Sequence, residues 1–309
     1  MEFTKLKSQK SKQKRFKVLR LISPVNNLPR TLERKISCGK YTCRLQYGMT
    51  DSLGADLAFI ADNDLNSFYN LPVKQPQQLW AFRLKEPYTH FTRPNIFRWD
   101  GFFNYSACYN LKSDGSAFMF RSTMIKLEHP TSINFDRKFN TGKLKQVLWF
   151  VSHCKFGNLT AWSGRAEYVL ELSKYIPIDI YTKHEMCVEQ FGSLIKNDDN
   201  EEPELKDYHF YLSFENSLCK DYISEKLWKV LNSQGLTIPV TLGGLSIEEY
   251  ESVAPPNSFI HVKNFTSPKA LADHLKFVRN NSKAINYYHQ WRNEYQLATT
   301  TSLHIGGNI

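Results

Sequence analysis

His209-Phe210-Tyr211-Leu212-Ser213-Phe214-Glu215-Asn216-Ser217, then Asp221-Tyr222-Ile223-Ser224-Glu225-Lys226-Leu227-Trp228, then Ile238-Pro239-Val240-Thr241-Leu242-Gly243-Gly244: these residues decide the fold class of the chain. An aromatic strand runs into a polar corner, a helix follows, and a second strand ends in two glycines. This is a strand–helix–strand unit, and such units bind ligands at the carboxyl ends of their strands. On a helical wheel Ile223, Leu227, Val230 and Leu231 share one side, while Tyr222, Glu225, Lys226 and Lys229 share another. The apolar side must pack on a sheet, so the polar group is expected beside the strand ends. A Glu and a Lys on a helix face are by themselves an ordinary solvated surface. The flanking residues change that reading. Phe214-Glu215-Asn216-Ser217 collects a carboxylate, an amide and a hydroxyl at a strand end, and Asp221 is the expected helix cap. The first helical turn adds unpaired N–H groups and a positive dipole end, so the corner suits an anion, with phosphate the best fit.

A second unit of the same kind lies upstream. Val147-Leu148-Trp149-Phe150-Val151 is a continuously apolar, buried strand, and Arg165 opens a helix with Val169, Leu170 and Leu172 facing inward. Ile176-Pro177-Ile178-Asp179-Ile180-Tyr181 returns as a strand whose proline points to an edge or entry position. Parallel crossovers are right-handed, which sets helix N-termini and strand C-termini on one edge of the sheet. Arg165, Tyr222, Glu225 and Lys226 are therefore expected at one crevice, where two cations suit a diphosphate. Arginine is disfavoured by the dipole in a first helical turn, and that raises the interest of Arg165. Further on, Ser258-Phe259-Ile260-His261-Val262 reads as a strand and Ser267-Pro268 as a helix start, with Leu271, Leu275 and Val278 inside. A last aromatic helix is expected to hold Tyr287, Tyr288, Trp291 and Tyr295. His261 reads as a packed core histidine.

Composition bounds the rest. The chain has 309 residues, 41% hydrophobic and 14% aromatic, enough for two domains with real cores. Its net charge of +10 is concentrated at one end: residues 1–20 hold eight Lys or Arg against Glu2, a local +7 that leaves +3 for the remainder. A nucleic-acid binder would spread that charge over its body, so the segment reads as a solvated arm and no nucleic-acid partner is expected. Six cysteines without a CxxC pair do not make a disulfide scaffold, and the pairs His153-Cys154 and His184/Cys187 match no zinc-ligand spacing. Asn-x-Ser/Thr triplets begin at Asn104, Asn158, Asn264 and Asn280 and lean toward a secretory lumen. Neither a run of about eighteen apolar residues nor a signal-peptide core is read. Asp62-Asn63-Asp64 fits an Asp-x-Asp pattern, but it is read as a turn.

Several of these segments together resemble a known family. Phe214-Glu215-Asn216-Ser217, Asp221-Tyr222-Ile223-Ser224-Glu225-Lys226-Leu227-Trp228, Pro239-Val240, Ala254-Pro255-Pro256-Asn257-Ser258-Phe259-Ile260-His261-Val262 and Trp291-Arg292 look like the donor-domain motifs of the animal-type α-1,3-fucosyltransferases, glycosyltransferase family 10. The resemblance implies an α/β fold of GT-B architecture, two Rossmann-like domains facing each other across a cleft. It implies inverting transfer of L-fucose from GDP-fucose to a GlcNAc residue of a glycan or glycoprotein. By the same resemblance Arg165 and Lys226 hold the diphosphate, Tyr222 and Glu225 the ribose, and Glu215 and Asn216 order the floor of the donor site. Glu86, in Trp80-Ala81-Phe82-Arg83-Leu84-Lys85-Glu86-Pro87, resembles the family's general base. No metal cofactor is required on this reading, although a divalent cation such as manganese can stimulate.

The expected organisation is a basic arm and loop over 1–35 and an acceptor-side domain over 36–140. A GDP-fucose domain over 141–296 and a tail over 297–309 complete it. The family implies the Golgi lumen and membrane association, while no anchor is read in this chain. The segment after Glu86 departs from the pattern: Trp99 is kept, but Phe103 stands where the family has tyrosine, and Ser152-His153 and Thr182 replace Ser-Asn and Gly. A catalytically silent relative that binds nucleotide sugar or glycan without transfer is the alternative. The residues leave the acceptor, N-glycan core or lactosamine antenna, open.

Overall fold

The structure, a computed structural model, describes residues 18–22, 33–38, 41–49, 54–61, 73–84, 86–87, 100–110, 112–114, 122–135, 145–152, 154, 163–195, 203–233 and 235–299. The basic residues 1–17, Asp62-Asn63-Asp64, Trp99, His153, Asn158 and most of the 139–145 stretch lie outside them. The chain divides into two compact units, one built on residues 1–119 and the other on residues 120–306.

In the first unit β1 (Val18–Ile22), β2 (Glu33–Cys38), β3 (Tyr41–Met49), β4 (Leu57–Ala61), β5 (Leu79–Leu84) and β6 (Tyr105–Cys108) make a six-stranded sheet, in the order β2-β3-β1-β4-β5-β6. Every neighbouring pair runs parallel except β2 and β3. The core centres on Ala58, Ile60 and Trp80 with Phe102 and Phe103 packed against them. The buried Trp80 indole donates to Gln78 Oε1 at 2.8 Å, and the Gln78 amide donates on to the Ala55 carbonyl at 3.0 Å. Phe103, standing where the family pattern has tyrosine, packs 5.0 Å from Phe82 and 5.3 Å from Phe102. Strand β1 corrects the expectation of an arm through residue 35. Val18-Leu19-Arg20-Leu21-Ile22 is a competent apolar strand, but the surrounding lysines dominate any reading by composition.

The second unit contains a five-stranded, wholly parallel sheet. Its strands are β8 (Lys145–Phe150), β9 (Ile178–Tyr181), β10 (Tyr208–Phe214), β11 (Ile238–Leu242) and β12 (Ile260–His261); β7 (Ser122–Lys126) and β13 (Tyr295–Thr299) pair separately. The order β12-β11-β10-β8-β9 puts β8 and β10 side by side, with the chain winding outward from them in opposite directions. A doubly wound sheet of this order opens its ligand crevice at that reversal. The helices are α1 (Arg165–Ser173), α2 (Glu185–Phe191), α3 (Glu225–Leu231), α4 (Ile247–Glu251), α5 (Pro268–Arg279) and α6 (Ser282–His289). Val147, Trp149, Phe210, Leu212 and Phe214 pack with Val169 and Leu172 of α1 and Leu271, Leu275 and Val278 of α5. Leu148 and Tyr211 face the other way, onto Val230 of α3. Both faces are therefore covered, which is why these strands read as unbroken apolar runs rather than alternating ones. Each such large side chain, fully buried, contributes roughly 1.5–3 kcal/mol.

Several expectations hold. The strand with Pro177 before it, β9, is an outer strand, and Ser267 caps α5 with Pro268 in its first turn. Others are corrected. Only Ile260 and His261 of the fifth strand pair with β11, because Val262–Asn264 turns at once into a 3₁₀ helix. Tyr295 leaves the last helix for β13, and β13 takes Leu297, Ala298 and Thr299 out of the expected tail. Residues 122–135 belong to the second unit and not to the first: β7 pairs with β13, Ile133 N–H donates to Asn293 Oδ1 at 2.9 Å, and Phe135 N–H donates to Asn286 Oδ1 at 2.8 Å. Such pairing spans more than 150 residues of sequence and leaves no local pattern to read.

Cys154 and Cys187, set aside as poor metal ligands, form a disulfide between the loop after β8 and helix α2. Among the described residues no group of three or more His, Cys, Asp and Glu side chains is placed to hold a metal ion. Closing a loop of this length restricts the unfolded chain, an effect worth about 2–4 kcal/mol. Selective reduction, followed by urea unfolding, should lower the stability of the second unit by about that amount. An unchanged midpoint would show that the bridge holds nothing.

Candidate functional site

The β10–α3 corner is built around one buried carboxylate. Strand β10 is buried along its whole length and delivers Glu215 and Asn216 just past its end, Glu215 at 1% exposure. The backbone N–H of Glu215 still bonds to the Leu242 carbonyl at 2.8 Å, so the ends of β10 and β11 stay together into the corner. Glu215 Oε1 accepts the Ser224 N–H at 2.8 Å, fixing the residue that starts α3. Ser224, not Asp221, caps the helix: its hydroxyl accepts from Lys226 N–H. Asp221 instead takes a left-handed backbone with φ 64° and turns the chain ahead of the cap. That moves the helix start to Glu225 and leaves Tyr222 outside it and buried, rather than displayed on the polar face.

Lys226 gathers the remaining polar atoms. Its Nζ donates to Ser224 Oγ at 2.9 Å and to Glu225 Oε1 at 3.2 Å, and stands 3.7 Å from Glu215 Oε2, an oxygen with no hydrogen-bond partner. One lysine is thus held between a buried carboxylate and a largely exposed one. Burial pushes the Glu215 carboxyl above its ordinary range, while Lys226 and the Ser224 hydrogen bonds pull it back down. Lys229, expected beside them, lies over the Phe150 ring at 4.9 Å.

Arg165 reaches the same edge from the other side of the reversal. It is the first residue of α1, is buried, and donates from Nη1 to the Phe214 carbonyl at 2.9 Å. Its guanidinium lies 5.8 Å from the Trp149 ring, so it spans the ends of β8 and β10. Ser163 N–H donates to the Asn216 carbonyl at 3.3 Å, tying the approach to α1 to the same corner. The Tyr211 hydroxyl reports the convergence. Burial raises its pKa most, the charges of Glu225 and Glu215 raise it further, and that of Arg165 lowers it. The structure therefore brings Arg165, Glu215, Asn216, Glu225 and Lys226 together at one sheet edge, with Tyr222 buried in the turn ahead of α3. Glu86 belongs to the other unit, half-buried two residues beyond the carboxyl end of β5, whose neighbours β4 and β6 both run parallel to it.

The two glycines after β11 are explained by the same packing. A Cβ on Gly243 would collide with the buried Tyr250 hydroxyl and stand 3.4 Å from Glu215 Cγ. One on Gly244 would meet the Cys219 carbonyl oxygen at 2.6 Å, so the loops after β10 and β11 close only over glycine. The sequence reading missed Ser224, Tyr250 and Trp149. Ser224 carried a signal, a serine directly before Glu-Lys-Leu-Trp; Trp149, in an apolar run, and Tyr250, flanked by glutamates, have roles visible only in three dimensions.

A doubly wound parallel unit with two cations and a helix start at its strand-order reversal belongs to the class of nucleotide- and phosphate-binding α/β domains. The sequence profile of Glycosyltransferase family 10 (fucosyltransferase) C-term matches residues 140–306, and the chain belongs to that family. Glycoprotein 3-alpha-L-fucosyltransferase A of Drosophila melanogaster is 30% identical over 269 residues, covering 86% of this chain and 50% of its own length. The 4-galactosyl-N-acetylglucosaminide 3-alpha-L-fucosyltransferase 9 of Rattus norvegicus is 36% identical, over 73% of this chain and 57% of its own. The chain thus spans about half the length of these curated relatives. A crystal structure of an alpha1,3-fucosyltransferase with GDP-fucose covers 92% of the chain and 84% of its own, at 14% identity and a TM-score of 0.49.

Glu215 makes a testable demand on pH. Its raised carboxyl pKa means that the folded protein holds this proton more tightly than the unfolded one. Stability from this group is full below the ordinary carboxylate pKa and falls as pH rises through the folded value. Glu215→Gln keeps an oxygen for Ser224 N–H but removes the charge. Relative to the variant, the wild type should lose stability in urea titrations as pH rises from about 4.5 toward neutrality. Parallel curves across that window would refute the assignment.

Proposed function

We propose that this chain is an inverting α-1,3-fucosyltransferase, moving L-fucose from GDP-fucose to a hydroxyl of GlcNAc in a glycan or glycoprotein. The observation that carries the reading is the Lys226–Ser224–Glu215 knot facing Arg165 at the β8/β10 reversal, within a chain of family 10. The names of the relatives, glycoprotein and galactosyl-N-acetylglucosaminide 3-alpha-L-fucosyltransferases, support the donor sugar and the acceptor class. In the reaction the bond between fucose C1 and the β-phosphate oxygen breaks, and the acceptor hydroxyl attacks C1 from the opposite face. GDP leaves with the bonding pair, and Arg165 and Lys226 stabilise its growing charge in a partly dry corner. Lys226 exchanges its carboxylate contacts for phosphate oxygens as donor enters, and Ser224 and Glu215 hold α3 in place meanwhile. Tyr222 and Glu225 are assigned to the ribose, and Asn216 with Glu215 to the floor. Glu86 takes the acceptor proton; its half-buried place just beyond the carboxyl end of β5 supports that role.

The site is proposed to work in the Golgi lumen. The Cys154–Cys187 bridge and the disulfide-bonded Cys43 support an oxidising compartment. Among the described residues no helix is long and apolar enough to cross a membrane. Manganese or another divalent cation is assigned at most a stimulatory part.

Labelled GDP-fucose offered with N-glycan-core and lactosamine acceptors tests the activity directly, and transfer to one class identifies the acceptor. Binding without transfer to any acceptor would replace this reading with that of a silent relative. Lys226→Ala should weaken GDP-fucose binding about 30-fold or more by calorimetry, a loss of roughly 2 kcal/mol for removing one charged contact. Unchanged affinity would remove the phosphate assignment. Glu86→Gln should leave that affinity intact while lowering kcat by about 10²–10⁴; full turnover would put the base elsewhere.

A further inference from the structure

Three of the four Asn-x-Ser/Thr triplets lie among the described residues, and their surroundings differ. Asn104, Asn264 and Asn280 are all exposed, so exposure alone does not rank them. Asn104 is built into the first sheet. Its Oδ1 accepts both the Trp80 N–H and the Lys74 ammonium at 2.9 Å, and its own N–H donates to the Trp80 carbonyl at 2.8 Å. Its triplet then runs straight into β6, where the Ser106 hydroxyl and N–H bond to Asp114. A sugar on this amide would have to fit against Trp80, Lys74 and Phe102, the last of which accepts from the same lysine at 2.8 Å.

Asn280 is equally committed. It is the C-cap of α5, its Nδ2 donates to the Lys276 carbonyl at 3.0 Å, and Ser282 of its triplet is already the first residue of α6. The atom a glycan would occupy is the one closing the helix end.

Asn264-Phe265-Thr266 differs on each count. Asn264 ends the short 3₁₀ turn after β12, and Phe265 and its neighbours take no part in a strand or an α-helix. Asn264 and Thr266 are both exposed, and among the described residues no side-chain hydrogen bond engages either. Phe265 holds the segment down by packing on the core and on the His274 ring at 5.0 Å, so the asparagine is presented from a fixed base. The triplet lies just past the carboxyl end of β12, the outermost strand of the sheet, which is two strands from β10.

We propose that Asn264 is an N-linked glycan attachment site of this protein, and that Asn104 and Asn280 are not. In the modification an oligosaccharide is transferred from a lipid diphosphate donor. The C1–O bond to phosphate breaks, a C1–Nδ2 bond to the asparagine forms, the lipid diphosphate leaves with the electron pair, and one amide proton passes to the transferring enzyme's base. The site needs a luminal compartment, which the Cys154–Cys187 bridge supports, and it does not rest on the assigned fucosyl transfer.

The full chain, directed into the secretory pathway of cultured insect or mammalian cells by an added leader and captured through a tag, provides the test. Peptide mapping reads all sites at once after enzymatic glycan release, which converts an occupied asparagine to aspartate. The Cys154–Cys187 linked peptide in the same digest proves that the chain folded in the lumen. The expected result is conversion at Asn264 with Asn104 and Asn280 unconverted, and loss of that glycan in both Asn264→Gln and Thr266→Ala. An unconverted Asn264 in disulfide-bonded protein, or conversion at Asn104 or Asn280, overturns the proposal. Fucosyl transfer measured on the same preparations separates failure of this site from failure of the activity.

Discussion

A carboxylate as buried as Glu215 is tolerated only when its surroundings return most of what water would have supplied. Here a backbone N–H and a lysine ammonium do so, and both come from the start of α3. Satisfying that one side chain therefore fixes the position of the helix end, the direction of Lys226 and the path of the loop from Ser217 to Ile223. The glycines after β11 follow from the same demand, because the neighbouring loop must close over Glu215 and Tyr250 without a Cβ in the way. The orientation of the Lys226 ammonium thus results from a packing problem solved within the fold itself.

The residues in the corner differ in how much they move with solvent. Glu225 is more than half exposed, so its pairing with Lys226 is weak and easily exchanged. Glu215 cannot follow the lysine outward. The contact of Lys226 with Glu225 is thus the exchangeable one, while the Ser224–Glu215 bond fixes the start of the helix. Arg165, bound to the Phe214 carbonyl across the strand-order reversal, is a second charge whose direction is set by the sheet.

The parallel sheet of the second unit was legible because its strands are buried on both faces and carry unbroken apolar runs. Arg165, Glu215, Glu225 and Lys226 could be put at one sheet edge from topology alone. Tyr222 could not, since a helical wheel assumes a helix, and the chain begins its helix only after Ser224. Asp221 was read as the cap, but Ser224 caps the helix, its N–H held by the carboxylate of Glu215 from the end of β10. Strand β1 was hidden by lysines, β7 by a partner at the far end of the chain, and the Cys154–Cys187 bridge by a spacing that carries no pattern of its own. The family resemblance added the sugar and the nucleotide, which no spacing or periodicity in these residues contains.

Because β7 and β13 lie side by side as an antiparallel ladder, the polypeptide enters and leaves the second unit at adjacent points. A module whose ends meet in this way can be moved between chains, or joined to a different neighbour, without threading or stretching. The second unit is thus a self-closed cassette. Evolution, or an engineer, can vary what is joined to it while carrying its folded core over intact.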